Sequence, residues 1–360
     1  MKKKPTAWIR PEISRLSAYH VPDASGFVKL DAMENPYHWS DEMIGQWLEV
    51  IRQVELNRYP EPSAPQLTQR IRDCFSIPEQ AAILLGNGSD ELIQMILMAV
   101  GGRDRVVMSL EPGFVMYNMI ATFLDMPYVG VALDENFELD KTAMLAAIKQ
   151  HDPAVIFFAY PNNPTGNLFD EQAIVEVIEA TDAIVVLDEA YYAFTEHTFM
   201  NRLNQYDNLL VMRTVSKMGL AGLRLGYLAG APELVNEFDK VRLPYNINVL
   251  TQASAIFALD HVDALNKQTG QIKQDRETLF NELNQCSELK VFPSAANFIL
   301  FRTPAGKADM IFDALKQQQI LIKNLNRPDS PLTDCLRVTV GTEQENRQFV
   351  AALKNVLANV

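Results

Sequence analysis

The stretch LLVMRTVSKMGLAGLR, residues 209–224, opens with four apolar residues and passes directly into a segment rich in polar side chains. Such a short run, apolar on both faces, is typical of a strand in a parallel sheet that helices cover on both sides. Ligands of open α/β sheets bind just beyond the carboxyl ends of the strands. Residues 213–224 are therefore the first place to search for a functional site.

Similar runs recur through the middle of the chain, separated by long connections. They occupy residues 105–108, 154–158, 183–187 and 226–229. Helical patterns lie between them, for example over residues 90–100 and 170–179. This alternation predicts an α/β architecture with a mostly parallel central sheet.

The two ends of the chain have a different pattern. The first 45 residues are irregular apart from an extended piece near residues 27–33, and a long helix begins near residue 265. Strand-like and helical stretches follow it to the end of the chain. We therefore predict a large domain of residues 46–255 and a smaller α+β domain of residues 256–360, which the N-terminal segment 1–45 joins.

Composition excludes several classes of protein. The formal net charge of −13 argues against a nucleic-acid-binding surface, but a few arginines in a concave site could still bind an anionic substrate. No run of 18 apolar residues suggests a membrane span, and no apolar region follows the basic start MKKKP, residues 1–5. The three cysteines are widely separated, which predicts reduced thiols and no metal site. These features predict a cytoplasmic protein.

The segment after residue 212 contains groups suited to an amine nucleophile and a phosphate. A lysine at the edge of the sheet, Lys217, becomes nucleophilic when desolvation and nearby cations lower its pKa. The hydroxyls of Thr214 and Ser216 should lie on one side of the chain, and Arg224 follows. Hydroxyls and a guanidinium suit a phosphate. The alternative is an ordinary solvated lysine.

Polar residues also follow two other runs. Asp188 and Tyr191 come directly after residues 183–187, and Asn163 lies in the proline-stiffened loop YPNNPTG, residues 160–166. Asp188 could be a buried carboxylate that binds a cationic ring nitrogen, or simply the N-cap of a following helix. Asn163 could donate its amide to a ligand oxygen, or the loop could be only a turn.

A glycine-containing helix start, LGNGSDE at residues 85–91, could bind an anion. Glycines let backbone amides approach a ligand, and the helix N-terminus favours negative charge. The pattern is neither the dinucleotide-binding fingerprint nor a P-loop. The alternative is a capped helix with Ser89 or Asp90 at the N-cap.

Taken together, the motifs resemble those of the fold-type I aminotransferases that depend on pyridoxal 5′-phosphate (PLP), over nearly the whole chain. They are GNGSD (86–90), PGF (112–114), NNPTG (162–166), DEAY (188–191), SK (216–217) and Arg224. Three more, LDAMENPY (30–37), RYP (58–60) and LRVTVGT (336–342), are most similar to those of histidinol-phosphate aminotransferases.

The resemblance implies a set of cofactor-binding residues. Lys217 would carry PLP as a Schiff base, and Asp188 would hold the protonated ring nitrogen. Tyr191 and Asn163 would bind the ring hydroxyl oxygen. The ring face would stack on Phe114, for which ordinary core packing is the alternative.

The resemblance also implies a shared phosphate site. The phosphate would be bound by Ser89 and Asp90 amides and by Thr214, Ser216 and Arg224. Tyr59 of the partner subunit would complete this site, so the protein would be a homodimer. In some family members this arginine comes eight residues after the lysine, whereas in this chain Arg224 comes seven residues after Lys217.

For the substrate, the resemblance points to residues near both termini. Arg337 would bind either the glutamate carboxylate or the phosphate of histidinol phosphate, because its planar fork suits both anions. Tyr19 and Asn35 would lie nearby. The alternative for Arg337 is a surface ion pair. The implied reaction transfers an amino group from L-histidinol phosphate to 2-oxoglutarate, giving imidazole acetol phosphate and glutamate in histidine biosynthesis.

Other interpretations remain within and outside this fold. A threonine-phosphate decarboxylase or an aromatic amino-acid aminotransferase would use the same lysine and phosphate site. A non-catalytic PLP-binding regulator would be expected to carry an added DNA-binding domain, and no basic helix-turn-helix precedes residue 45. An α/β binding protein without a cofactor would not need the set Asp188, Tyr191, Lys217 and Arg224.

Overall fold

A computed structural model describes residues 5–18 and 23–358. The strands are β1 (Val28–Lys29), β2 (Ala82–Gly86), β3 (Val107–Glu111), β4 (Tyr128–Ala132), β5 (Val155–Ala159), β6 (Ile184–Asp188), β7 (Leu209–Thr214), β8 (Gly226–Gly230), β9 (Lys290–Val291), β10 (Phe298–Arg302), β11 (Ile320–Leu321), β12 (Lys323–Asn324) and β13 (Cys335–Thr339).

The α-helices are α1 (Pro11–Ser14), α2 (Asp41–Ile51), α3 (Pro65–Cys74), α4 (Ser89–Val100), α5 (Met116–Phe123), α6 (Lys141–His151), α7 (Glu171–Glu179), α8 (Pro232–Asp239), α9 (Val249–Asp260), α10 (Val262–Asn284), α11 (Ala308–Gln317) and α12 (Glu343–Leu357). Short 3-10 helices cover Pro5–Trp8, Tyr192–Phe194, Met200–Arg202, Ser216–Met218 and Ala221–Leu223.

The central sheet has seven strands in the order β2-β8-β7-β6-β5-β3-β4. Strands β4, β3, β5, β6 and β7 run parallel, which confirms the predicted mostly parallel α/β sheet. The expectation that residues 226–229 form a parallel strand was wrong, because β8 is antiparallel to both β7 and β2. The connection from Val215 to Leu225 holds only two 3-10 turns, whereas a parallel return requires a longer crossover.

Helices bury both faces of this sheet. Successive residues of a strand point to opposite faces, so Ile156 and Phe158 pack with α3, α6, α7 and α9, whereas Val155 and Phe157 pack with α4, α5 and α8. All four side chains are fully buried. Burial of an apolar side chain of this size contributes about 1.5–3 kcal/mol relative to exposure. Burial on both faces explains why polar and apolar residues do not alternate along these strands.

A second hydrophobic core joins residues from both ends of the chain. Leu30 packs in one cluster with Phe298 of β10 and Phe349 of α12. The cluster lies beside the antiparallel sheet β12-β13-β10-β9 and the parallel pair β1-β11. Helix α10 connects the cores, with Leu265 in the first and Ile272 in the second. This core supports the predicted small domain, and the boundaries at residues 45 and 255 stay predictions.

Side chains cap the starts of two helices that the sequence patterns predicted. Asp170 caps α7 by accepting from the amides of Gln172 and Ala173, and Thr342 forms a capping box with Glu345 at the start of α12. Among the described helices, none is long and apolar enough to cross a membrane.

Candidate active site

A cavity of about 390 Å³ opens at the carboxyl ends of β5, β6 and β7 and beside the N-terminus of α4. This is the position expected for a ligand site in an open α/β sheet. Ten of the predicted site residues line it: Ser89, Asp90, Phe114, Asn163, Asp188, Tyr191, Thr214, Ser216, Lys217 and Arg224. The N-terminal residues Ala32, Met33 and Glu34 also contribute to the wall.

Lys217 lies in the short 3-10 helix that directly follows β7. Its ammonium nitrogen is 3.4 Å from the carbonyl oxygen of Ala32 and 5.9 Å from the centre of the Tyr191 ring. Burial, reinforced by the positive charges of Arg337 and Arg224, lowers the pKa of Lys217 to about 8. A useful fraction of this amine is therefore neutral and nucleophilic near physiological pH. The alternative of a solvated lysine was wrong.

Asp188 is the last residue of β6, and its side chain is buried. One carboxylate oxygen accepts a hydrogen bond from the Tyr117 hydroxyl at 2.8 Å, and the other accepts from the Ala190 amide at 3.1 Å. Burial raises the pKa of Asp188 to about 7 against the effect of these two bonds. The alternative role as a helix N-cap was wrong, because the N-cap of the following 3-10 helix Tyr192–Phe194 is Tyr191 and the Asp188 side chain does not cap it.

The start of α4 is suited to an anion. Gly88 is the N-cap, at a φ of 89°, and no side chain of residues 5–18 or 23–358 caps this helix, so the alternative with Ser89 or Asp90 at the N-cap was wrong. A Cβ added to Gly88 would lie 2.5 Å from Nη2 of Arg224, so this glycine allows the guanidinium to approach the helix start. The uncapped amides and the nearby cation together favour a bound phosphate.

The hydroxyls of Thr214 and Ser216 complete this side of the cavity. Their oxygens are 2.7 Å apart. Val215 between them has helical rather than extended backbone, so the hydroxyls converge because the chain turns. The seven-residue spacing to Arg224 is taken up by two 3-10 turns, with Gly219 at a φ of 121° and Arg224 itself in the left-handed region.

A chain of hydrogen bonds links the cavity to the second core. The Asn163 amide donates to the Tyr191 hydroxyl at 3.1 Å, and Arg337 of β13 donates from Nη1 to the Asn163 side-chain oxygen at 2.6 Å. Nη2 of Arg337 donates to the Asp31 carbonyl at 3.2 Å, and its guanidinium stacks over the Phe298 ring. Arg337 is buried, so the alternative of a surface ion pair was wrong.

Two further predicted site residues, Asn35 and Tyr59, do not line the cavity of this chain. Asn35 donates to the Met218 carbonyl at 3.2 Å and to Gln268 at 3.0 Å, which ties the N-terminal segment to the turn after Lys217. Tyr59 is 80% exposed and stacks on Tyr245 with ring centres 4.6 Å apart. Tyr19, the remaining predicted residue, lies outside the described residues.

The sequence model for aminotransferases of classes I and II matches residues 25–353. The chain belongs to this family. Among curated relatives, histidinol-phosphate aminotransferase 2 of Nitrosococcus oceani is 56% identical over 98% of both chains. Histidinol-phosphate aminotransferase of Vesicomyosocius okutanii is 48% identical over 96% of both.

Solved structures of low sequence identity share the fold of this aminotransferase. Histidinol-phosphate aminotransferase from Sinorhizobium meliloti, in complex with pyridoxal 5′-phosphate, superposes with a TM-score of 0.87 at 24% identity and covers 98% of both chains. The enzyme from Clostridium acetobutylicum superposes with a TM-score of 0.83 at 24% identity, covering 92% of this chain and 99% of its own.

Sequence reasoning missed a buried ion pair behind the cavity of this aminotransferase. Arg213 Nη2 lies 2.7 Å from Glu189 Oε2, with both side chains nearly inaccessible to solvent. Because side chains alternate along a strand, this pair lies on the opposite face from Asp188 and Thr214. It joins the ends of β6 and β7. A motif cannot reveal it, because the two residues are 24 positions apart.

Sequence reasoning also missed Tyr117, the hydrogen-bond donor to Asp188. Its only sequence signal is the position three residues after Phe114, which places both on one side of a helical turn.

Proposed function

We propose that this aminotransferase transfers the amino group of L-histidinol phosphate to 2-oxoglutarate with PLP as cofactor, in the cytoplasm, as a step of histidine biosynthesis. One observation carries the chemistry: a single cavity holds an amine of lowered pKa, a buried carboxylate and an uncapped helix start with an adjacent arginine. The substrate is inferred from the names of relatives that are about half identical over nearly the whole chain.

The donors and acceptors of the cavity fit the cofactor. A buried carboxylate whose pKa is raised by burial is stabilised by a cationic N–H, which the pyridinium ring has. Tyr191 and Asn163 would bind the ring hydroxyl oxygen, and Phe114 would cover a ring face. The phosphate would be held by the following groups: the Ser89 and Asp90 amides, the Thr214 and Ser216 hydroxyls and the Arg224 guanidinium.

Bound PLP supplies an aldehyde that condenses with amines and a cationic ring that withdraws electrons from the substrate α-carbon. Lys217 would hold the cofactor through its neutral amine. With substrate bound, Lys217 would take the proton from the substrate α-carbon as a general base and return a proton as a general acid. Asp188 would be ionised and would hold the ring nitrogen in its protonated form.

The rate of reconstitution should report the state of Lys217. We expect apoprotein to react with PLP faster as the pH rises to about 8, because only the neutral amine attacks the aldehyde, and to level off above that value. Stopped-flow absorbance between about pH 6 and pH 10 would measure this. A Lys217→Ala control should lack the covalent phase. A rate that keeps rising to pH 10 would show an ordinary lysine pKa and contradict this prediction.

Arg337 is proposed to bind the anionic group of both substrates. Its burial and its bonds to Asn163 and Asp31 fix the fork, so ligand binding requires little further ordering. Arg337→Ala should raise KM for histidinol phosphate and for glutamate together, each by about 10- to 100-fold, because a charge-assisted bidentate contact is lost. Arg347→Ala, at an exposed position of α12, is the control. An increase limited to one substrate would contradict a shared site.

We propose a homodimer in which the partner subunit's Tyr59 completes the phosphate site. Large exposed apolar side chains near Tyr59 support this: Leu56 is 71% exposed and Leu243 73% exposed, and Tyr245 stacks on Tyr59. Such a patch on one surface is typical of an interface.

Mixed dimers would test the shared site. Lys217→Ala and Tyr59→Ala protomers should each be poorly active at limiting PLP, but a hybrid dimer has one site that carries neither change. Random mixing should therefore recover about a quarter of the wild-type activity. If activity does not recover although exchange is verified by native mass spectrometry, Tyr59 acts within its own chain or not at all.

Substrate assays test the proposed reaction. The purified protein, loaded with PLP, should form glutamate from 2-oxoglutarate with histidinol phosphate, and much more slowly with phenylalanine. With threonine phosphate it should release no carbon dioxide. Glutamate formation with phenylalanine alone would overturn the proposed substrate, and decarboxylation of threonine phosphate would overturn the proposed reaction.

A further inference from the structure

Tyr117 does not line the cavity, but it contacts two residues that do, Asp188 and Phe114, and both are proposed to bind the cofactor ring. It lies on α5 and is only 1% exposed. Its hydroxyl donates to Oδ2 of Asp188 at 2.8 Å. Its ring meets Phe114 edge-on with centres 5.4 Å apart, and it stacks on Phe157 of β5 at 4.6 Å. Two aromatic contacts and one hydrogen bond therefore fix its position.

The hydroxyl has a role that packing does not explain. Tyr117 belongs to an apolar cluster with Ile120 and Phe157, where a phenylalanine would bury the same ring. A buried hydroxyl requires a partner, and the partner here is the carboxylate that faces the cofactor site. Because burial and Asp188 raise the pKa of Tyr117 far above its usual range, the phenol remains a proton donor at every working pH.

Several groups around Asp188 act on its charge in opposite directions. Burial raises its pKa most, and the nearby Asp90 and Glu189 carboxylates add to this. Tyr117 and the Ala190 amide lower it, Tyr117 more strongly. Tyr191 and Lys217 line the same cavity. Tyr117 is thus the side chain that most favours the ionised carboxylate before any cofactor binds.

We propose that Tyr117 is a positioning residue for the cofactor, whose hydroxyl holds the Asp188 carboxylate ionised and oriented toward the ring nitrogen. This inference rests on the proposed function, since it presumes a pyridinium ring above Asp188. Through its edge contact with Phe114, the same residue supports the aromatic side chain that covers the ring. One buried tyrosine thereby couples the two groups that determine the ring's position and charge.

The test compares Tyr117→Phe with a matched control, Tyr128→Phe. Tyr128 on β4 is a partly buried tyrosine whose hydroxyl is hydrogen-bonded to Ser109 at 2.7 Å, but it does not contact Asp188. We expect Tyr117→Phe to weaken PLP binding to the apoprotein about 10-fold and to lower kcat about 10- to 100-fold, with KM nearly unchanged. The midpoint pH of the bound cofactor's absorbance titration should rise. Tyr128→Phe should behave as wild type.

A double variant separates a role through Asp188 from a general packing effect. In an Asp188→Ala background, Tyr117→Phe should cause no further loss of PLP affinity, because its partner has been removed. Equal PLP affinity and titration midpoints for the Tyr117→Phe and Tyr128→Phe proteins would overturn the inference while leaving the proposed function intact. Wild-type protein that binds no PLP would overturn the proposed function, and this inference with it.

Discussion

Lys217→Ala should lower kcat about 10,000-fold, because it removes both the amine that anchors the cofactor and the base that moves the α-proton. Lys217 lines the cavity at the end of β7, and burial together with the charges of Arg337 and Arg224 lowers its pKa to about 8. Steady-state assays with histidinol phosphate and 2-oxoglutarate would measure the loss.

Controls distinguish this loss from misfolding. Lys267→Ala, on the exposed side of α10, should leave kcat unchanged. The Lys217→Ala protein should still bind PLP through the phosphate site, with the absorbance of the free aldehyde, and should unfold at a temperature near that of wild type. Near-normal turnover in this variant would contradict the assigned mechanism.

Asp188→Asn should lower kcat about 1,000-fold while the apoprotein gains stability at alkaline pH. The activity falls because the neutral amide cannot hold the ring nitrogen in its protonated form. The asparagine side chain has nearly the same shape as the aspartate it replaces, so the loss measures charge rather than packing. Asp313→Asn, at an exposed position of α11, is the control, and it should retain full activity.

The stability change follows from the raised pKa of Asp188. The folded apoprotein binds a proton at this carboxyl up to about pH 7, whereas the unfolded chain releases it near pH 3.8. The folded state therefore loses stability relative to the unfolded state as the pH rises through that window, by a few kcal/mol (about 1.4 kcal/mol per unit of pKa difference). Asp188→Asn lacks this loss, so urea unfolding should show it to be more stable at pH 8 but not at pH 3. Equal stabilities at pH 8 would contradict the prediction.

Local patterns in the sequence predicted four of the five parallel strands and the helix α7, but they missed β4 (Tyr128–Ala132). The apolar runs around Phe157 and Val186 predicted buried strands because both faces of each strand are covered, and the helical pattern over residues 170–179 predicted α7. The same patterns predicted that Lys217 and Asp188 each follow an apolar strand, but not that the two strands, β6 and β7, are neighbours. The family resemblance supplied their proposed roles.

Features that depend on distant contacts could not be predicted in this way. Tyr117 and Asp188 are 71 positions apart, and Arg337 lies 174 positions from Asn163. The antiparallel direction of β8 depends on how Val215–Leu225 turns, which the residue types alone leave open. Neither the exposed position of Tyr59 nor the structural bonds of Asn35 has a local sequence signal.

Borohydride reduction tests the central claim most directly. Reduction should remove the absorbance of the imine between Lys217 and PLP. Mass spectrometry of the digested protein should then find a phosphopyridoxyl group on the peptide that contains Lys217 and on no other. A reduced protein whose Lys217 peptide is unlabelled, or whose label lies on another lysine, would contradict the account.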